Sequence, residues 1–198
     1  MAGRPHGPSW AKAPSGSLAR GAYAAAALYG LRGDQAARAA WLEIMDAVTV
    51  TDWRERRFGQ FFDALLLLHQ GHAGEAASVL ERAPRRDPAH AFQDGVWEPW
   101  CAALRAEAAV LTIRPDTAAC LSAARAMTSD NPIAVAIVER AAALPGGHDE
   151  LIGAAAVFEA AGCRYQWART LAFIGGAERE RGESALAEMG AAPMAWPL

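Results

Sequence analysis

The chain has 198 residues, enough for one domain with a sizeable buried core. Lys and Arg number 19 against 22 Asp and Glu, a formal charge of -3, so no basic excess is available to grip a phosphate backbone and direct nucleic-acid binding is set aside. Alanine makes up about a quarter of the residues and β-branched runs are scarce, so local propensity favours helix nearly throughout and the expected fold class is all-α.

Residues 1–17, rich in Gly, Pro and Ser, hold little that could pack and are expected to form a disordered leader. The single lysine, Lys12, lies there outside any G-x-x-x-x-G-K-[ST] pattern, which excludes a P-loop. No apolar segment of signal-peptide type follows the first basic residue, and the most apolar run, "FFDALLLLH", is far shorter than a membrane span. A cytoplasmic protein without a membrane partner is expected.

The first helix pair is expected at Leu18 to Leu31 and Gln35 to Val48, with a turn at Gly33-Asp34. The clearest pair follows. Phe58, Phe61, Phe62, Leu65 and Leu68 recur at helical intervals, and Ala73, Ala76, Ala77, Leu80 and Ala83 repeat those intervals beyond the "HQGHAG" turn. Small residues at Ala64 and Ala76 let the two backbones approach, and Pro88 stops the second helix. The set Ala64, Leu67, Ala76, Leu80, Ala83 and Pro88 recurs 44 positions later as Ala108, Leu111, Cys120, Ala124, Met127 and Pro132. Ala154, Phe158 and Ala161 repeat its second half a further 34 positions on. A last pair is expected at Tyr165 to Ile174 and Ala177 to Met189, around Gly175-Gly176, with residues 191–198 as a tail.

These intervals resemble the tetratricopeptide repeat, with Gln60 standing where that family has an early tryptophan. The resemblance implies a superhelix of about five antiparallel helix pairs over residues 18–190, in which stacking buries the face that no single pair can bury alone. Gly162 is expected at positive φ, ending one helix before Tyr165 opens the next.

A second resemblance rests on "AAAVFEAAGCRYQWARTLAFIGGAERERGESALAEMGA". Phe158, Glu159, Gly162, Tyr165, Ala168, Arg169, Leu171, Gly175 and Gly190 stand at the characteristic places of the C-terminal helical-repeat region in large bacterial signalling ATPases, the LuxR-type ATP-binding regulators and the nucleotide-cyclase-linked ATPases. It implies a sensory or partner-binding repeat domain. The ATPase domain and the DNA-binding helix-turn-helix of such proteins have no counterpart in this sequence.

Residues able to do chemistry are better explained structurally. Cys101, Cys120 and Cys163 show no C-x-x-C spacing and are expected to be reduced. Cys163, near Arg164 and Arg169, lacks an evident base and suits a packed or capping position. His69 and His72 straddle Gly71 with no third ligand at metal spacing. Glu98 and Glu107 form no convincing acid and base pair, Asp149 and Glu150 suit the first turn of a helix, and no G-x-S-x-G elbow occurs. No catalysis, cofactor or metal is expected.

The expected function is binding of a protein or peptide in bacterial signalling or transcriptional regulation, with sensing of a small-molecule effector as the alternative. In a repeat of this type the first helix of each pair lines the concave side, which puts Phe61, Leu65 and His69 there, with Arg105 equivalent to Phe61 one repeat on. The expected groove is apolar with a cationic edge and suits a segment carrying an apolar anchor and a carboxylate. Trp97 and Trp100, flanking Pro99 in "VWEPWC", are the second candidate contact.

Overall fold

The computed structural model describes residues 16–48, 57–82 and 91–195. These form ten α-helices and no strand: α1 (Gly16–Leu31), α2 (Gln35–Val48), α3 (Arg57–His69), α4 (Ala73–Glu81), α5 (Ala91–Leu111), α6 (Thr117–Thr128), α7 (Pro132–Ala143), α8 (His148–Ala160), α9 (Arg164–Ile174) and α10 (Gly176–Glu188). Residues 1–15 of the expected leader, Ala83 and Pro88 of the clearest repeat pattern, and residues 196–198 lie outside the described residues.

Local chemistry fixes several helix ends. Pro132 opens α7, where its missing N–H costs nothing, and the Asn131 side chain accepts a hydrogen bond from Ala134 N at 3.1 Å. Asp149 and Glu150 lie in the first turn of α8, against the positive end of the helix dipole. After α8 the chain turns at Gly162 with φ 68°, a conformation that a β-carbon disfavours. Cys163 N then donates to Phe158 O at 2.9 Å and Gly162 N to Glu159 O at 3.0 Å, which satisfies the last carbonyls of the helix.

Helices near in sequence pack together. α1 lies on α2 and α3, α3 on α4 and α5, and α5 on α4, α6 and α7. α7 continues onto α8, α8 onto α9, and α9 onto α10. Alanine makes this stacking close: Ala64 and Ala76, on the facing sides of α3 and α4, are both fully enclosed, as are Ala103, Ala106 and Ala108 on α5. The main core runs from α3 to α8 around Leu68, Leu80, Leu104, Ile137 and Phe158. A smaller cluster joins α1, α2 and α3 through Tyr23 and Met45. At its edge Tyr23 Oη donates to Asp63 at 2.9 Å, and Arg38 pairs with the same carboxylate at 3.2 Å. A third cluster holds Ala168, Ala172, Ala185, Leu186 and Met194 between α9, α10 and the segment that follows.

Two helices approach closely at Gly182 of α10. A β-carbon there would fall on the Ala168 carbonyl oxygen and 2.7 Å from Ala172 N, both backbone atoms of α9. Gly182→Val should therefore lower the urea unfolding free energy by about 2 kcal/mol or more, through overpacking that backbone cannot relieve. Gly153→Ala on α8, where a β-carbon meets open space, should be neutral or stabilising by up to about 1 kcal/mol. Equal effects of the two substitutions would contradict the packing of α9 on α10.

Candidate functional site

The six residues expected to contact a partner fall into two groups. Phe61, Trp97 and Trp100 come together, with ring centroids 5.2 Å apart for Phe61 and Trp97 and 6.1 Å for Phe61 and Trp100. Phe62 completes the group at 5.2 Å from Phe61 and 5.6 Å from Trp97. All four rings are half-buried and join α3 to the first half of α5. Leu65, His69 and Arg105 point elsewhere. Leu65 belongs to the main core, Arg105 donates to Leu80 O at 3.2 Å, and His69 is 1% exposed with both ring nitrogens engaged. At Leu65 and His69 the expected concave groove is filled by the chain itself.

His69 Nε2 lies 2.8 Å from Ala192 O, a pure acceptor, so the proton sits on Nε2. Nδ1 is then free to accept, and the Tyr165 hydroxyl donates to it at 3.1 Å. Burial lowers the imidazole pKa, the hydrogen bond to the Ala192 carbonyl works against that shift, and the positive charge of Arg169 adds to it. Burial likewise pushes the Tyr165 hydroxyl up to about 12, so both groups are neutral at pH 7.

Behind Tyr165 lies a buried ion cluster that the sequence pattern did not assemble. Glu107 of α5, Arg140 of α7 and Arg169 of α9 are each fully buried. Glu107 Oε2 accepts from Arg140 Nη2 at 2.6 Å, and Glu107 Oε1 is 2.5 Å from Arg169 Nη2 in an ion pair without hydrogen-bond alignment. Arg140 Nη1 also donates to Gln166 Oε1 at 2.7 Å and to Thr170 Oγ1 at 3.2 Å, both on α9. Burial alone would raise the Glu107 pKa, but the two guanidinium groups outweigh it and hold the carboxyl below its ordinary value. The guanidinium carbons face aromatic rings, Arg140 at 5.4 Å from Phe158 and Arg169 at 5.3 Å from Phe173, which offsets part of the desolvation. With every member enclosed, the cluster acts here by tying three helices together.

The remaining chemical candidates are dispersed. Cys163 precedes α9 as its N-cap residue without a side-chain capping bond, Cys101 is buried, and Cys120 is half-buried on α6. His72, just before α4, pairs with Glu75 at 2.7 Å on the surface. Glu98 is bound to Arg57 at 2.7 Å. Among the described residues no three His, Cys, Asp or Glu side chains converge as metal ligands, and no helix is long and apolar enough to cross a membrane.

A broad concavity lies elsewhere, across α6, α7 and α8. It encloses about 790 Å³. Val135, Ala136, Ala142 and Ala143 of α7 line it together with Gly153, Ala154 and Val157 of α8. Its charged groups are Arg125, Glu139 and Glu150. The first two bind each other through paired contacts of 2.8 and 2.9 Å. The surface is thus mostly apolar, shallow in side-chain bulk, and edged by a carboxylate.

Comparison with protein-family models, with curated proteins and with solved structures gives no match. The resemblance to tetratricopeptide repeats and to signalling ATPases rests on the residues that carry it.

The neutral His69 generates a pH dependence of known sign. Its folded pKa lies below the ordinary 6.5, so below that pH the unfolded chain binds the extra proton first and stability falls as pH is lowered. The groups facing the ring are the Tyr165 hydroxyl, the Ala192 carbonyl, which favours the protonated ring, and the charge of Arg169, which opposes it; burial is the largest effect and keeps the pKa low. Urea unfolding between pH 7.5 and 5.5 should show a loss of stability in the native sequence that is smaller in His69→Gln. A pH profile unchanged by that substitution would contradict the buried neutral state.

Proposed function

We propose that the chain is a non-catalytic, tetratricopeptide-like module of about five stacked helix pairs that binds a protein or peptide, in a bacterial signalling or transcriptional-regulatory role and in the cytoplasm. The observation that carries this reading is the groove across α6, α7 and α8. Its small side chains leave backbone close to the surface, so that an apolar helix or extended segment can approach as closely as the chain's own helices approach one another. Glu150 at the edge favours a partner with a basic residue beside its apolar anchor. The order of helix contacts, in which α1, α3, α5 and α7 pack in succession, supports the repeat reading.

The volume of the same groove also favours a second reading. About 790 Å³ lies within the range of pockets that take small molecules, so an effector could bind there and shift the packing of α6 against α8.

One substitution addresses both. Gly153→Arg adds a side chain at a position where a β-carbon meets nothing within 4 Å, so it should fill the groove without disturbing the core. A protein retained by the native chain from the native lysate should be lost from folded Gly153→Arg. A small molecule that raises the melting temperature of the native chain and leaves Gly153→Arg unchanged would select the effector reading. A protein partner retained equally by both chains would overturn the assignment of function to this groove.

A further inference from the structure

The segment after α10 packs on the chain at a place distinct from the groove across α6 to α8. Gly190 turns the backbone with φ 72°, and the residues after it run without helical structure across the ends of α1 and α3. Ala192 N donates to Leu31 O at 2.7 Å, Ala195 N donates to His69 O at 3.0 Å, and His69 Nε2 donates to Ala192 O at 2.8 Å. One bulky side chain, Met194, is buried, and it packs with the cluster of α9 and α10. The segment is therefore wedged between the α1–α2 and α3–α4 turns on one side and the last two helices on the other.

The slot is shaped for a backbone. At Gly71 a β-carbon would lie 3.1 Å from the Ala195 β-carbon, and at Gly33 one would lie 3.6 Å from that of Ala192. Both glycines hold positive φ, so the turns stay bare where the segment passes. Two helix-end carbonyls and one imidazole N–H meet main-chain groups that any peptide possesses, while a single pocket holds one long apolar side chain. Pro193 and Ala195 remain exposed, so the segment covers the slot from the surface and is not locked beneath other elements.

We propose that this slot is a peptide-binding site which the chain occupies with its own residues 191–195, and that an extended partner segment with Met or Leu between small residues binds there by displacing them. The recognition is that of main-chain hydrogen bonds with one apolar anchor. The tethered segment competes at the millimolar effective concentration of a short linker, so the closed chain binds an outside peptide weakly, in proportion to the fraction of molecules in which the segment is released. This inference does not depend on the groove reading, and the two can fail separately.

The test uses the full-length chain carrying Met194→Asp, with helicity checked by circular dichroism, and a fluorescein-labelled peptide of the sequence GAAPMAWPL. Fluorescence anisotropy should show that Met194→Asp binds the peptide at least ten-fold more tightly than the native chain, and that GAAPDAWPL binds neither. Adding Gly71→Ala to Met194→Asp should weaken the peptide several-fold. If Met194→Asp loses helix, Ala195→Pro, which removes the N–H donated to His69 O and restricts the backbone there, replaces it under the same criteria. A folded, released variant that binds GAAPMAWPL no more tightly than the native chain would overturn the proposal, as would equal binding of GAAPDAWPL.

Discussion

Glu107 sits between two guanidinium groups contributed by two other helices, and the arrangement of the second half of the molecule depends on that bridge. Two positive charges and one negative are removed from water at the junction of α5, α7 and α9. Desolvating them is costly, and the interaction is favourable only while all three are held in contact. Gln166 and Thr170 add neutral acceptors for Arg140, and the rings of Phe158 and Phe173 lie against the cations. Two guanidinium groups face one carboxylate, so the cluster carries one positive charge in excess, and the Nε and Nη1 atoms of Arg169 have no hydrogen-bond partner among the described residues. A slip of α9 by one turn would carry Arg169 away from Glu107 and take Gln166 and Thr170 away from Arg140, leaving buried polar groups without these partners. The cluster thus fixes register where alanine-rich surfaces, which fit one another in many ways, would not.

That register has consequences at a distance. With α9 held against α5 and α7, Tyr165 at its start meets His69 at the end of α3, and the segment after α10 reaches the α1–α2 and α3–α4 turns. The end of α1 and the segment after α10 are thereby joined by the hydrogen bond from Ala192 N to Leu31 O. An open groove along α3 is replaced by an occupied slot, while the groove across α6 to α8 is open among the described residues. The two surfaces differ in kind: one presents main-chain hydrogen-bonding groups and a single apolar pocket, the other an extended patch of small side chains.

The sequence made the helices legible because their signals are local. The bounds of α2 follow from Gly33-Asp34 and from the apolar stripe of "AARAAWLEIM", and Gly162 announces the end of α8 by the absence of a β-carbon. α5 was harder. It runs through Pro99, whose missing N–H leaves the Gly95 carbonyl without its helical donor, and the exposure of Gly95 lets water take that place. The ion cluster escaped for another reason. Arg140 lies three residues from Ile137 and Arg169 four from Tyr165, on stripes that read as core. A charge on a core stripe says that a partner exists, but which helix supplies it is decided by tertiary stacking. Arg169 was legible as a neighbour of Cys163, and Glu107 as an isolated acid. The path of "AAPMA" has no periodicity, and its partners are main-chain atoms that carry no sequence signature.

The central claim is that Glu107 compensates two buried cations and thereby fixes how α5, α7 and α9 stack. Urea unfolding of Glu107→Gln, of Arg169→Met and of the double variant tests it most directly. Glu107→Gln should cost about 3–5 kcal/mol, because it leaves two guanidinium groups buried without a counter-charge. Adding Arg169→Met to Glu107→Gln should then recover part of that loss, so that the double variant is more stable than Glu107→Gln alone. A loss from Glu107→Gln below about 1 kcal/mol, or strict additivity of the two substitutions, would contradict the account.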